Sequence, residues 1–229
     1  MTRLLIIVNP HSGYGNSIDI LEKNLLPKLG SVYYFIAITD YKLECQSYLD
    51  NLEGYTGILV LGGDGTVSYI LQYLLYHNIS IPIGHIPCGS GNGLMTSLLH
   101  SNNIEFSIDN SINSILSLQP KNIDTMKVEL IEQNTSIYSF LFISYGIFSN
   151  LDLKTEWLRK FGDIRFTIGA IWELLWKESF TAKLKYKILG SDIENIAYKI
   201  EEGDFLYFVA ANLSHASIGA HISPNSLPS

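Results

Sequence analysis

The stretch Ile58-Leu59-Val60-Leu61-Gly62-Gly63-Asp64-Gly65-Thr66-Val67 decides the reading of the fold. Four apolar residues run straight into an aspartate flanked by glycines, and Val67, Ile70, Leu71, Leu74 and Leu75 then recur at helical spacing. An unbroken apolar run fits a strand covered on both faces, and a helix starting directly after it gives the strand–loop–helix order of a parallel sheet. The same order extends outward. Leu4–Val8, Tyr33–Ile38 and Ile81–Ile86 read as further strands, separated by Ile18, Leu21, Leu25, Leu26 and Leu29, and by Tyr48, Leu49 and Leu52, at helical spacing. Residues 1–121 are therefore expected to form an α/β domain on a doubly wound parallel sheet, with ligands at the carboxyl ends of its strands.

The pattern changes beyond Pro120–Asn122. Asp124–Glu132 and Ile137–Ser144 read as strands around a turn at Gln133-Asn134-Thr135, and Ala182–Leu189, Ile193–Ile200 and Leu206–Ala211 read as further strands. Lys183, Lys185 and Lys187 alternate with Leu184, Tyr186 and Ile188, the period of a half-exposed strand. A long helix is expected over about Thr155 to Lys177. Residues 122–229 thus read as a mainly antiparallel β domain, ending on the turn-forming residues Pro224 to Ser229.

Bulk properties narrow the function. The 229 residues are 47% hydrophobic and 16% charged, a composition for a packed core and not for disorder. A net charge of -7 gives no basic footprint for nucleic acid and no general attraction to anionic membranes. Two cysteines, Cys45 and Cys88, make neither a disulfide framework nor a zinc motif. The five apolar residues Leu4–Val8 are too few for a signal-peptide core, and no run approaches the roughly 20 needed to span a bilayer. A cytoplasmic protein, meeting a membrane only peripherally and transiently, is the expectation.

Three loops follow predicted strands: Asn9-Pro10-His11-Ser12-Gly13-Tyr14-Gly15-Asn16-Ser17, Gly62–Thr66, and Pro87-Cys88-Gly89-Ser90-Gly91-Asn92-Gly93. Glycines let backbone N–H groups approach and point at a phosphate, and a helix N-terminus adds partial positive charge. The first loop alone reads equally well as a plain turn. An aspartate between glycines at a strand end is poorly explained by packing, and three such loops at one sheet edge make a polyphosphate cradle without a Walker motif. His85 reads as a strand residue, Cys88 as a passive loop residue, and the other histidines show no ligand spacing.

Gly62–Thr66 resembles the glycine–aspartate signature shared by diacylglycerol, sphingosine, ceramide and NAD kinases. Pro87–Gly93 resembles the second signature of the lipid kinase branch, in the serine form typical of sphingosine and ceramide kinases, and Asn9-Pro10 with its glycines resembles that family's opening loop. The stretch Tyr145 to Leu153, with Glu156, Arg159, Gly162 and Arg165-Phe166-Thr167-Ile168-Gly169, is similar to sphingosine kinases in particular, whereas NAD kinases fit the second and fourth of these stretches poorly.

The resemblance implies transfer of the γ-phosphoryl of ATP, with Mg2+, to the primary hydroxyl of a sphingoid base. Asp64 would be the catalytic base. Asn9, Ser12, Gly13, Gly15, Thr39, Gly62, Gly63, Gly65, Thr66, Gly89, Ser90, Gly91, Asn92, Arg159 and Arg165 would bind ATP. Asp152 would meet the ammonium of the lipid head. By position alone Arg159 and Arg165 read as a solvated helix face and Asp152 as a surface turn. The apolar helix Phe161–Trp176 reads either as packing on the β domain or as the wall of an acyl pocket. Metal ligands and oligomeric state are not legible.

The chain departs from the family at Tyr69, Gln72 and Tyr73, where a Glu and then Asn-Gly are usual, and in the first loop, where Tyr14 and Asn16 stand in a region that often carries Lys. The family's acidic Asp-Gly segment has no counterpart, so the β domain is expected to be incomplete at its C-terminus. The chain would then be a fragment, a mispredicted gene product or a degenerate paralogue. Diacylglycerol or ceramide kinase, and a catalytically inactive lipid- or nucleotide-binding protein, are the alternative readings.

Overall fold

A computed structural model describes residues 2–39, 45–117, 119–146, 179–186 and 198–226. These divide into two compact units. The first comprises residues 1–142 with 211–229, the second residues 143–210.

The first unit is built on a four-stranded parallel sheet of β1 (Arg3–Val8), β2 (Tyr33–Ile38), β3 (Gly57–Gly62) and β4 (Ile83–Pro87), in the order β2-β1-β3-β4. The chain moves outward from β1 to β2, then crosses back past β1 to β3. The switch point therefore lies between β1 and β3, where ligand crevices open in such sheets. Alternate residues of the central strands feed two cores. Leu5, Ile7, Ile58 and Val60 pack on one face with Leu49, from α3 (Gln46–Leu49), and with Val67, Ile70 and Leu74, from α4 (Asp64–Tyr76). Leu4, Ile6, Val8, Leu59, Leu61 and Ile86 pack on the other face with the helical segment 17–29 and with Ile112, from α6 (Ile108–Leu116). The doubly wound α/β reading holds.

Segment 17–29 is not one regular helix. Between α1 (Ser17–Ile20) and α2 (Leu26–Leu29), the turn Leu21–Leu25 is wound as a π-helix. Pro27 has no N–H for the carbonyl four residues back, which favours a local change of winding. Ile20, Leu21, Leu25 and Leu29 stay buried through it. Strand β4 starts at Ile83, two residues later than the apolar run from Ile81 indicates; Pro82 offers no N–H, and its carbonyl accepts from Ile58 N at 2.9 Å.

The helices α5 (Gly93–Ser101) and α6 follow β4. Next comes an antiparallel hairpin of β5 (Met126–Leu130) and β6 (Thr135–Ser139). Its turn lies earlier than expected: Thr135 already pairs with Leu130, and Asn134 takes φ 47°. Asparagine tolerates that left-handed backbone better than most residues. The expected strand Ile137–Ser144 is broken at Phe140-Leu141. Phe140 turns into the core, and Asn212 ties the break down, donating from Nδ2 to Phe140 O at 3.0 Å and from its backbone N to Leu141 O at 2.9 Å. The returning segment adds a small antiparallel hairpin, β11 (His215–Ser217) and β12 (Ala220–His221); β7 to β10 lie between in sequence.

In the second unit, β7 (Phe142–Gly146) lies beside β10 (Tyr207–Ala211), and β8 (Phe180–Tyr186) pairs antiparallel with β9 (Lys199–Phe205). The acidic run Glu201-Glu202-Gly203-Asp204, outside the expected strand Ile193–Ile200, belongs to β9 because its partners are complementary. Lys183 Nζ meets Glu202 at 2.9 Å, Thr181 donates to Asp204 at 2.7 Å, and Tyr186 donates to Glu201 at 2.6 Å. The expected helix over 155–177 lies outside the described residues. Among the described residues no helix is long and apolar enough to cross a membrane.

Candidate functional site

The three glycine loops meet at the carboxyl edge of the parallel sheet. The first is tied to the second: Asn9 Nδ2 donates to Thr66 Oγ1 at 3.1 Å, and Asn9 N donates to Leu61 O at 2.9 Å. The Asn9 carbonyl takes the Ser17 hydroxyl at 2.8 Å and the Ser12 N–H at 3.2 Å, so one residue organises the whole loop. The first also touches the third. A Cβ on Gly13, which has φ 56°, would stand 2.3 Å from the Cys88 carbonyl oxygen. The second and third meet backbone to backbone, since a Cβ on Gly89 would lie 2.6 Å from the Gly63 Cα. At Gly65 an added Cβ would meet nothing within 4 Å, so the start of α4 faces open space.

Asp64 sits half-buried where these loops join. Its Oδ2 accepts from Gly93 N at 2.8 Å and its Oδ1 accepts from Leu94 N at 3.1 Å, so it caps the N-terminus of α5 from another helix. Two donors fix the plane of the carboxylate, and each oxygen keeps a further lone-pair position for a ligand. Asn92 holds the third loop shut: its Oδ1 accepts from Gly89 N at 2.9 Å and its Nδ2 donates to Gly89 O at 2.7 Å, with φ 59°. Thr39 is buried and donates from both N and Oγ1 to Val8 O, joining the ends of β1 and β2. Ser12 is buried, whereas Gly15 and Ser90 are exposed.

Two expectations about nearby residues are met. His85 lies on β4 with Nε2 3.0 Å from Gly62 O, and burial holds its pKa below the ordinary value although Asp64 and the Gly62 carbonyl act the other way. Burial pushes the Cys88 thiol up to about 12, which leaves it a packing residue. The family departures have structural partners. Gln72 donates to Tyr138 O at 2.5 Å and accepts from Tyr138 N at 2.8 Å, clipping α4 to β6, while the Tyr73 hydroxyl bonds Asp50 and Tyr69 packs against the core.

The sequence reading missed the β11–β12 hairpin. Ser217 bridges Asn92, Ile218 N donates to Gly91 O at 3.0 Å, and a Cβ on Gly93 would strike the His215 carbonyl oxygen at 2.6 Å. The third loop is therefore held by a segment more than a hundred positions away, for which no local signal exists. Arg159, Arg165 and Asp152 lie outside the described residues. In the second unit, Tyr145, Phe180, Ala182, Leu184, Phe205 and Phe208 line an open apolar hollow of about 350 Å3.

A doubly wound sheet whose strand-end glycine loops close around one carboxylate defines an α/β domain of the nucleotide-binding kind. The diacylglycerol kinase catalytic domain model matches residues 3–128, and the chain belongs to that family. Among curated proteins it is 25% identical over 193 residues to a sphingosine kinase 2 of Arabidopsis thaliana, covering 80% of this chain and 40% of that protein. It is 28% identical over 211 residues to the sphingoid long chain base kinase 4 of Schizosaccharomyces pombe, covering 87% and 44%. The chain thus spans about two-fifths of the length of each of these two relatives. Two solved structures from Bacillus anthracis str. Sterne share the fold. One has a TM-score of 0.71 at 21% identity, covering 99% of this chain and 71% of that one. The other, a diacylglycerol kinase, has a TM-score of 0.66 at 19% identity, covering 99% and 68%.

Proposed function

We propose that this chain carries the catalytic part of an ATP-dependent lipid kinase that phosphorylates the primary hydroxyl of a sphingoid base. The observation that carries the reading is the convergence of the three glycine loops on Asp64. Polyphosphate recognition needs backbone N–H groups, room and a helix N-terminus, and the start of α4 beside Gly65 offers all three. Asn9, Ser12, Gly13, Gly15, Gly62, Gly63, Thr66, Gly89, Ser90, Gly91 and Asn92 then form the cradle. Thr39 supports it from below by joining β1 and β2.

Asp64 would accept the proton of the lipid hydroxyl as its oxygen bonds to the γ-phosphorus and ADP leaves. An alcohol is a poor nucleophile while it keeps its proton, and a fixed carboxylate removes that obstacle. The capping bonds from Gly93 and Leu94 hold the carboxylate in one orientation, so its position costs no reorganisation during transfer. Magnesium would neutralise the phosphate oxygens. Asp64 is the sole carboxylate of the three loops, a donor set that suits an ion held mostly by the nucleotide's own phosphates. Arg159 and Arg165 would add fixed positive charge to the phosphates. Asp152 would pair with the lipid ammonium.

The test is transfer of label from γ-labelled ATP to sphingosine, ceramide and diacylglycerol in turn, with the wild type and Asp64→Asn. Sphingosine should be labelled, and the substitution should lower turnover by about 10²–10⁴-fold, the usual weight of a general base. Labelling of diacylglycerol alone would reject the sphingoid base. Equal turnover in Asp64→Asn would reject Asp64 as the base, and nucleotide binding with no transfer to any lipid would reject the kinase.

A further inference from the structure

Three histidines from two distant stretches of the chain come together at the far end of α5. His100 lies on the last turn of that helix, and His215 and His221 are directly paired across the β11–β12 hairpin. The rings of His215 and His221 stack at 4.1 Å with 4° between their planes, and the His100 ring lies 4.8 Å from the first and 5.1 Å from the second. One ring nitrogen from each lies within 4.8 Å of the other two. We propose that His100, His215 and His221 form a binding site for a divalent transition-metal ion of the zinc class, separate from the nucleotide cradle.

Several features make this more than a packed aromatic cluster. His215 is buried and its Nδ1 is already engaged by Ser214 Oγ at 2.9 Å, leaving Nε2 as the ligating atom. A metal-bound imidazole ordinarily has its other nitrogen held in this way, which fixes ring orientation and tautomer. The backbone of His215 is anchored independently, donating to Ser97 Oγ at 3.0 Å. Ser97 and His100 are three residues apart on α5 and so share a face, which is why His100 meets the hairpin. His100 and His221 are exposed, so an ion can reach the cluster and these two rings can turn toward it. Zinc–nitrogen bonds of about 2.0–2.1 Å place tetrahedral ligands roughly 3.3 Å apart, so the site closes by moving the two exposed rings while His215 stays fixed. Three imidazoles suit zinc, copper, nickel or cobalt and suit magnesium poorly, and they leave one position for water.

The placement gives the ion a structural consequence. Helix α5 runs from Gly93, whose N–H bonds Asp64, to His100, seven residues or about 10 Å along the axis. The same hairpin braces Gly91 and Asn92 at one end and supplies two of the three histidines at the other. A bound ion would pin the hairpin to α5 and so steady the third glycine loop.

The experiment uses the full chain, freed of metal by a chelator and kept in excess Mg2+. Zn2+ affinity and stoichiometry are read by competition with a chromophoric chelator, and Co2+ absorption reports the geometry. The wild type and the control His77→Ala should bind one Zn2+ per chain and melt at a higher temperature with it. His100→Ala and His221→Ala, both at exposed positions, should each lose at least the roughly 10–100-fold in affinity that even an outer-shell partner contributes, and should lose the zinc-dependent rise in melting temperature. No stoichiometric Zn2+ binding by the wild type, or wild-type affinity in either of the two variants, would overturn the site.

Discussion

Gly13 and Gly65 separate the two uses of glycine in this site. At Gly13 the backbone is left-handed and a methyl group would collide with the Cys88 carbonyl, whereas at Gly65 a methyl would enter empty space. Gly13→Ala should therefore destabilise the protein by more than about 1 kcal/mol through strain alone. Gly65→Ala should leave stability within about 0.5 kcal/mol yet weaken ATP binding, because the space it fills is the space a phosphate would take. Chemical denaturation and ATP titration of both variants check this; equal effects on stability would show that Gly65 is there for packing as well. His85 makes a second prediction. Among the described residues its buried Nδ1 has no hydrogen-bond partner, and burial lowers its pKa from the ordinary 6.5. The unfolded chain then takes up the proton first as pH falls. The stability His85 contributes is complete above about pH 6.5 and is lost as pH drops from there through its folded pKa. Denaturation midpoints measured from pH 8 to pH 5 should fall on the acid side, and His85→Gln should flatten that fall. An unchanged slope in the variant would assign the pH dependence to other groups.

At the scale of elements, α4 shows how departures from a family pattern are absorbed. Gln72 extends the backbone pairing of β6 with its own amide, giving and taking one bond each at Tyr138. Gln72→Ala removes both bonds from a half-buried strand and should cost about 1–3 kcal/mol, with faster amide exchange at Tyr138. Exchange at that amide unchanged from wild type would mean that the hairpin holds itself. What was legible in the sequence follows the same physics of partners. Strands β1 and β3 are buried on both faces and so read as continuous apolar runs, and their loops carry glycine and aspartate patterns that are local. Helix α5 was missed because Gly93 through Ser97 are all buried, leaving no polar face to create a period. Helix α6 was missed because Asp109, Asn110, Ser111, Asn113 and Ser114 have the composition of a loop. The Ser107 hydroxyl nevertheless accepts from Asn110 N at 3.0 Å as an N-cap, and Ile112 is fully buried. Strand β9 was placed too early because its acidic run makes sense only beside Lys183 and Thr181.

For the whole molecule, the decisive feature is that the parallel-sheet unit is discontinuous in sequence. Residues 211–226 leave the second unit's stretch of chain and return to the first. Leu213 enters the same core cluster as Leu5, Ile58 and Ile70, at 1% exposure, and Ser214 O accepts from Ile222 N at 2.9 Å, closing the hairpin beside α5. No local pattern announces this, since the apolar partners of Leu213 lie on strands and helices folded from the first half of the chain. The returning segment must then belong to the same cooperative unit as the parallel sheet, and its loss should reach the site through Gly91, which is bonded to Ile218. Leu213→Ala should cost about 2–5 kcal/mol, the range for truncating a fully buried leucine. It should also lower ATP affinity at temperatures where the protein remains folded, because the hairpin bracing Gly91–Gly93 loosens. Urea denaturation followed by signals from both units, together with ATP titration, tests this. A loss below about 1 kcal/mol, outside the range for a buried cavity, would show that the returning segment is only draped on the sheet. Unchanged ATP affinity would show that the third loop stands without the hairpin.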